Sequence, residues 1–145
     1  MSLTKTKQPF LALSKICLNN WHYIDQKVLS FNDGINFFTG HSGSGKSTVI
    51  DAMQIVLYAN TDGRGFFNKA AADDSDRNLI EYLRGMVAVG EKDEVTYLRN
   101  KNFSTTIVLE FTQTESDEKE CLGVVFDVDT ASGRRRPKPV QAVLF

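Results

Sequence analysis

The chain has 145 residues, about the length of a single domain, and its 41% hydrophobic and 24% charged residues are typical of a globular protein with an apolar core. Its net charge of −1 gives no overall attraction to nucleic acid, so DNA binding would need a local basic patch. The apolar runs are far shorter than the roughly 20 residues of a membrane-spanning helix, and the N-terminus lacks an apolar signal core, so we expect a cytoplasmic protein.

Three short strands are predicted at the start of the chain. The segment LALSKICL, residues 11–18, alternates apolar and polar residues, and HYIDQKVLSF, residues 22–31, does so less regularly. Residues 19–21 would connect these two half-buried neighbours. A second connection at residues 32–34 contains an Asp-Gly pair, which tolerates positive φ, and it leads into a third strand at residues 35–38.

A helix is predicted after the glycine-rich stretch that follows, from Lys46 to about Asn60. Apolar residues recur along one face, at Val49, Ala52, Met53, Val56 and Leu57. Ile50 and Ile55 widen this face until little of the helix is polar. We therefore expect a buried helix that packs against the sheet.

A second helix is predicted from about residue 76 to residue 85. Its apolar residues at helical spacing are Leu79, Ile80, Leu83 and, at the end, Met86. Ser75 and Asp76 are the candidate N-cap residues, because their side-chain oxygens can accept a bond from a free amide of the first turn.

The rest of the chain is predicted to return to strands. The strand-like segments are VTYL at 95–98, STTIVLEF at 104–111, CLGVVFDVD at 121–129 and PVQAVLF at 139–145. The acidic run from Glu115 to Glu120 is typical of a solvated hairpin loop. Cys17 and Cys121 lie inside apolar strand-like runs, which favours two reduced thiols in the core over a disulfide.

The segment GHSGSGKST, residues 40–48, matches the phosphate-binding pattern G-x-x-x-x-G-K-[ST] through Gly40, Gly45, Lys46 and Ser47. A predicted strand precedes it and a predicted helix follows it, which is the context that this motif requires. The alternative is a glycine-rich turn that merely caps a helix. The flanking elements favour the phosphate site.

The chemistry of the motif explains its residue types. Backbone amides from Ser42 to Thr48 can converge on a β-phosphate only if no side chain blocks the approach, which is the role of Gly43 and Gly45. The helix N-terminus adds free amides and partial positive charge. Lys46 would bridge β- and γ-oxygens, and the Ser47 hydroxyl would complete the coordination of Mg²⁺. The residues predicted to contact ATP here are Gly40, Ser42, Gly43, Ser44, Gly45, Lys46, Ser47 and Thr48.

Longer stretches resemble a known family. The strand pair followed by INFFTGHSGSGKSTVIDAMQIVLY resembles the N-terminal ATPase half of the SMC-like ABC proteins, which include SMC, SbcC and MukB, down to the Ile50-Asp51-Ala52 stretch of the helix. The segments YANTDGRGFFNKAA and RNLIEYLRG are similar to the MukB-like ATPase of Wadjet plasmid-defence condensins, called JetC there and MksB in related systems. The resemblance covers nearly the whole chain and is densest from Phe31 to Gly85.

The resemblance implies an α/β fold of the P-loop NTPase class: the N-terminal lobe of an ABC-type ATPase head, with an antiparallel β layer and a buried P-loop helix. Residues 1–145 would be this half of the head. The coiled coil, the C-terminal half and its Walker B pair, signature motif, switch histidine and Q-loop glutamine would lie beyond Phe145. No catalytic residue is assigned in this part, and none of its glutamines fits the Q-loop.

The resemblance also implies cofactors and partners. ATP and Mg²⁺ would be bound, with negligible hydrolysis by this part alone. In the intact protein, a homodimer of two heads would sandwich two ATP molecules, and hydrolysis would drive DNA loop extrusion. By analogy, the partners are DNA, a kleisin, a winged-helix accessory protein and a nuclease subunit.

Three further side chains are candidates for nucleotide contact. Asn20 and His22 flank the second strand where SMC heads bring side chains towards the nucleotide, although many relatives have lysine in place of His22. Arg64 lies between glycines where similar heads carry an arginine loop that reaches nucleotide or DNA. A solvated surface arginine is the alternative for Arg64.

Two segments near the C-terminus have two interpretations each. The basic cluster, which consists of Arg134, Arg135, Arg136 and Lys138, would meet DNA phosphates, or it is a polar hairpin tip. Residues 124–127 have the form of a Walker B strand, but Val128 stands where ABC ATPases place a glutamate. This favours a plain antiparallel strand.

Other P-loop classes remain as alternatives. A P-loop kinase or GTPase would need a lid or a base-recognition motif, and neither is found. Its mostly parallel sheet also disagrees with the strand pattern. An ABC transporter ATPase shares the ABC fold, but its Q-loop usually follows the helix sooner.

Overall fold

The computed structural model describes residues 8–58, 79–89, 95–132 and 134–144. In chain order its elements are β1 (Leu11–Trp21), β2 (Ile24–Ser30), α1 (Lys46–Leu57), α2 (Leu79–Arg84), β3 (Met86–Val89), β4 (Val95–Tyr97), β5 (Phe103–Gln113), β6 (Lys119–Asp129) and β7 (Arg134–Leu144). No helix in these ranges is long and apolar enough to cross a membrane.

The main sheet has five strands in the order β2-β1-β5-β6-β7, and every neighbouring pair is antiparallel. Apolar residues alternate along the three central strands and are buried on one face, where Leu18 lies opposite Ile107 and Ile107 opposite Val124. Residues of opposite parity point to the other face, as a period of two requires. Because only one face of these strands is buried, apolar and polar residues alternate along them, and this alternation is what predicted the strands.

Helix α1 covers the buried face and packs against β5 and β6. Ala52 and Ile55 are fully buried there, which agrees with a helix buried against the sheet. Ile50 and Leu57, however, are exposed, and Asp51 is buried in place of a further apolar residue. The predicted apolar face includes the buried Val49, Ala52, Ile55 and Val56, but it was too wide, because a helix on one side of a sheet buries one stripe.

Helix α2 is shorter than predicted among the described residues, and Met86 is not part of it. The Gly85 amide donates to the carbonyls of Glu81 and Tyr82, and Gly85 has φ +70°, an αL cap that ends the helix. Met86 then begins β3, which pairs with β4 in a small second sheet that the sequence analysis missed. The predicted N-cap residues Ser75 and Asp76 lie outside the described residues.

The predicted connection at residues 19–21 is wrong. Strand β1 continues through Trp21, which pairs with Ile24, and the hairpin turn consists of His22 and Tyr23. His22 takes φ 51°, a left-handed value that the turn requires. Trp21 is fully buried, so tertiary burial extends the strand beyond the local turn signal of the two asparagines.

The third strand predicted at residues 35–38 is also wrong. These residues are not in either sheet that the described residues form. Ile35 and Phe37 are 77% and 84% exposed. A strand needs a hydrogen-bonded neighbour as well as an apolar pattern, and none of the described strands pairs here.

The C-terminal strands agree with the prediction, with adjustments. The β5–β6 hairpin loop at residues 114–118 contains most of the acidic run. The basic cluster lies within β7 and not at a hairpin tip, because Arg134 is paired with Asp129 and Arg136 with Asp127 in register. Cys17 and Cys121 are free, as predicted, but both are half-buried and not in the core.

Candidate functional site

The glycine-rich loop joins the extended segment after β2 to α1. Gly43 and Gly45 have φ values of +80° and +92°, which L side chains rarely adopt, and a Cβ on either would meet nothing within 4 Å. A Cβ on Gly40 would instead lie 2.5 Å from Ser44 Oγ. Backbone conformation therefore requires glycine at 43 and 45, and the space beside both residues is open.

The N-terminus of α1 lacks the usual side-chain cap. Its N-cap residue is Gly45, no side chain there accepts a capping hydrogen bond, and the first turn holds no acidic residue. The amides of a first turn have no partner within the helix, and they carry partial positive charge. This helix end therefore offers donors to an anion.

The Lys46 ammonium lies inside the curve of the loop. It donates to the carbonyl oxygens of Gly40 and His41, at 2.5 and 2.8 Å, and to Ser44 Oγ at 3.1 Å. The ion pairs that the described residues form do not involve Lys46. Its charge is therefore bound only to loop dipoles, which an anionic ligand can replace.

The two hydroxyl residues of the first turn have different surroundings. Ser47 is exposed at the start of α1. Thr48 is half-buried, and its carbonyl oxygen accepts a hydrogen bond from Trp21 Nε1 at 2.8 Å. The loop and helix end thus combine free amides, a flexible cation and an exposed hydroxyl, a donor set that fits a polyphosphate with its Mg²⁺.

The sequence analysis missed a cluster next to the start of α1, which consists of the buried Trp21, Asp51 and Tyr82 and the half-buried His22. The Tyr82 ring lies 5.0 Å from the Trp21 ring and is stacked on His22 at 4.1 Å. The Tyr82 hydroxyl donates to Asp51 Oδ2 at 3.3 Å. We call these residues the Trp21–Tyr82 cluster; it joins β1, α1 and α2.

Asp51 is the buried carboxyl group of this cluster, and its burial disfavours the charged form. Burial raises its pKa to about 6, and the hydrogen bond from Tyr82 opposes that rise. The carboxyl is only 6% exposed, so it binds a proton more tightly in the folded chain than in the unfolded chain. The helical position of Asp51 was visible in the sequence, but its burial was not.

Arg99 holds the elements around the cluster together. Its guanidinium donates to the carbonyls of His22 and Leu83, at 2.6 and 2.9 Å, and to Ile24 and the Asp25 carboxylate at 3.2 and 3.3 Å. The side chain is only 9% exposed. No motif in the sequence marks this arginine, because its acceptors are mostly carbonyls distant along the chain.

The remaining candidates have these positions. His22 lies in the β1–β2 turn, and its Nδ1–H donates to the Tyr82 carbonyl at 3.1 Å. Its ring also lies 3.8 Å from the Tyr23 ring, and its carbonyl accepts from Arg99. Asn20 donates to the Ser104 carbonyl. Arg64 lies outside the described residues.

The Walker B interpretation of residues 124–127 is not supported by the sheet. Asp127 accepts a hydrogen bond from the Ser104 hydroxyl at 2.7 Å, and β6 has antiparallel neighbours on both sides. The predicted plain antiparallel strand is confirmed. Within the described ranges, no group of three or more His, Cys, Asp or Glu side chains could hold a metal ion.

Comparison with known proteins agrees with the loop geometry. A family model described as the P-loop containing region of AAA domain matches residues 13–74, less than half of the chain. Those residues are therefore similar to a P-loop NTPase-type region. No curated protein matches the chain. The match spans β1, β2, the loop and α1, so the family pattern and the donor set lie in the same segment.

Proposed function

We propose that this chain is the ATP- and Mg²⁺-binding half of an SMC-like ATPase head of the JetC and MukB type. The main observation behind the proposal is the loop at residues 40–48. Helix α1 begins there without a side-chain cap, the Lys46 ammonium bonds to a loop carbonyl, and the space beside Gly43 and Gly45 is open. The P-loop family match to residues 13–74 supports nucleotide binding. The finer assignment rests on the sequence resemblance densest at residues 31–85.

Each residue of the loop has a defined task in this proposal. Lys46 exchanges the Gly40 and His41 carbonyls for β- and γ-phosphate oxygens, a change from dipole to full-charge partners that strengthens its hydrogen bonds. The amides from Ser42 to Thr48 hold the β-phosphate. The Ser47 hydroxyl supplies one ligand to Mg²⁺, which takes its others from phosphate and water.

The chain binds nucleotide in this proposal but does not hydrolyse it alone. Hydrolysis needs a carboxylate that orients the attacking water. Asp127 is engaged with Ser104 in an antiparallel sheet, and no catalytic residue is assigned in this part of the head. The catalytic glutamate and the signature serine would come from the C-terminal half and from a second head.

The proposed cellular role is DNA loop extrusion or condensation in plasmid defence or chromosome maintenance. The partners would be a second head in a homodimer, DNA, a kleisin, a winged-helix protein and a nuclease subunit. Arg64 and the basic cluster are the proposed DNA or nucleotide contacts, and His22 remains a proposed nucleotide contact. The proposed DNA contact of the basic cluster rests on its charge, and the other proposals of this paragraph rest on the resemblance.

Calorimetric titration with ATP and Mg²⁺ tests nucleotide binding. Lys46→Ala should weaken binding at least about 100-fold, because it removes the only full cation of the loop. Lys27→Ala is the matched control, since Lys27 is an exposed lysine of β2. Absence of binding by the parent chain, or equal affinities of the parent and Lys46→Ala, would refute the proposal.

Plasmid retention tests the SMC-like role. Cells whose own copy of the gene carries Lys46→Ala should retain a test plasmid that the parent strain loses. Equal retention in the two strains would contradict the defence role even where calorimetry had demonstrated nucleotide binding.

A further inference from the structure

We propose that Trp21 is a positioning residue for the nucleotide site. Its indole N–H, bonded to the carbonyl of Thr48, fixes the first turn of α1 relative to the sheet, so that Lys46 and Ser47 are held in one orientation. This inference rests on the proposed nucleotide binding, and it assigns a role to a residue outside the loop motif.

The bond joins two elements that are distant in sequence. Trp21 is the last residue of β1 and is fully buried, and Thr48 directly follows Ser47 in α1. A carbonyl oxygen has two lone pairs, so Thr48 can accept the indole N–H as well as its own helical bond. The tryptophan therefore anchors the helix end without breaking it.

A second contact supports the same helix face. The Tyr82 ring packs beside the Trp21 ring, and the Tyr82 hydroxyl donates to Asp51, three residues after Thr48. Residues three apart lie on one face of a helix. Two hydrogen bonds from the Trp21–Tyr82 cluster therefore hold the buried side of the first turns of α1.

The helix end depends on these bonds because its own cap is weak. Gly45 provides no side-chain cap, and the Lys46 ammonium donates to Gly40, His41 and Ser44, all of which belong to the loop itself. Phosphate binding requires amides and the ammonium within hydrogen-bond distance of fixed oxygens. A small rotation of α1 would move these donors away from the phosphate oxygens and so weaken binding.

The sharpest test replaces Trp21 with β-(3-benzothienyl)alanine, in which sulfur stands in place of the indole N–H and the ring keeps its shape. We expect the affinity for ATP and Mg²⁺ to fall about tenfold. Trp21→Phe should show the same loss. Substitution by 5-fluorotryptophan, which keeps the N–H, should restore the parent affinity.

Thr105→Val is the matched control. Thr105 is fully buried and donates from Oγ1 to the Asn20 carbonyl at 2.7 Å, so its loss removes a buried side-chain bond that does not involve α1. We expect Thr105→Val to lower the melting temperature as much as the benzothienyl variant does. Thr105→Val should nevertheless bind ATP and Mg²⁺ with the same affinity as the parent. Equal affinity of the parent and the benzothienyl variant would overturn the inference.

The indole itself provides a spectroscopic reading, because Trp21 is the only tryptophan of the chain. Its single ¹⁵N–¹H indole resonance should shift when ATP and Mg²⁺ are added to the parent and stay fixed in Lys46→Ala. A parent that binds nucleotide with an unmoved indole resonance would contradict the coupling. A parent and Thr105→Val that both fail to bind would instead refute the proposed function.

Discussion

The glycine-rich loop at residues 40–48 and the Trp21–Tyr82 cluster both adjoin the N-terminal end of α1, and they are built differently. The loop is exposed, and its shape follows from local residues: glycines at positive φ and a lysine bonded to carbonyls five and six residues away. The cluster is buried and joins residues that are 27 to 60 positions apart. The residue types and shape of the loop are thus encoded by local sequence, whereas the orientation of the helix end relative to the sheet depends on long-range contacts.

The largest expected effect is a loss of folding stability when the Arg99 side chain, which contacts the Trp21–Tyr82 cluster, is removed. Arg99→Ala should lower the free energy of unfolding by about 3 kcal/mol, since three backbone carbonyls lose a buried charged donor. Urea unfolding measures the loss. The exposed Lys101→Ala should change it by less than about 0.5 kcal/mol. Similar curves for Arg99→Ala and the parent would contradict the role of Arg99.

The next effect concerns the buried carboxyl of Asp51. Because the pKa of the Asp51 carboxyl is about 6 in the folded chain, above its ordinary value of 3.8, the folded chain holds an extra proton between these two pH values. Its contribution to stability is therefore complete below pH 3.8 and is lost as pH rises through about 6. The loss is on the order of 2 kcal/mol.

Asp51→Asn tests this by removing the titration while keeping an acceptor for Tyr82. The variant should be more stable than the parent at pH 7.5 by on the order of 2 kcal/mol, and the difference should shrink towards pH 4. Urea unfolding across this pH range gives the comparison, with the exposed Asp33→Asn as control. Parallel pH profiles for the parent and Asp51→Asn would refute the assignment.

A smaller effect distinguishes backbone strain from ligand binding in the loop. Gly43 and Gly34 both have positive φ, +80° and +102°, and a Cβ on either meets no atom within 4 Å. Alanine at each should therefore cost about 1 kcal/mol of stability. Only Gly43→Ala should also weaken ATP binding, about tenfold, because its methyl group enters the phosphate space. Equal affinities of the two variants would contradict that placement.

The smallest effect concerns the metal. Ser47→Ala should reduce the affinity for ATP roughly threefold with Mg²⁺ present and leave it unchanged in EDTA, because the hydroxyl is only one of several oxygen ligands. Ser42→Ala is the control, since Ser42 is predicted to bind through its amide. A loss that persists in EDTA would show that Ser47 contacts phosphate and not the metal.

Strands β1, β5 and β6 and helix α1 were predictable because each carries its own period. The predicted connection at residues 19–21 failed because Trp21 is held by a partner in α1 that no local pattern displays. The strand predicted at residues 35–38 failed because an apolar run does not specify a pairing partner. Met86 and β3 were missed because a helix end and a short strand have similar apolar content over four residues.

The sequence by itself predicted the phosphate-binding loop, since its glycines, lysine and serine match a phosphate-binding spacing and the glycine conformations follow from local backbone sterics. It also determined the half-buried antiparallel sheet, through alternation of apolar residues. Only the tertiary structure decided which polar groups are buried in and around the Trp21–Tyr82 cluster, namely Asp51, the Trp21 indole and the Arg99 guanidinium. Burial and hydrogen bonding of such groups depend on contacts between distant segments, and no local pattern encodes them.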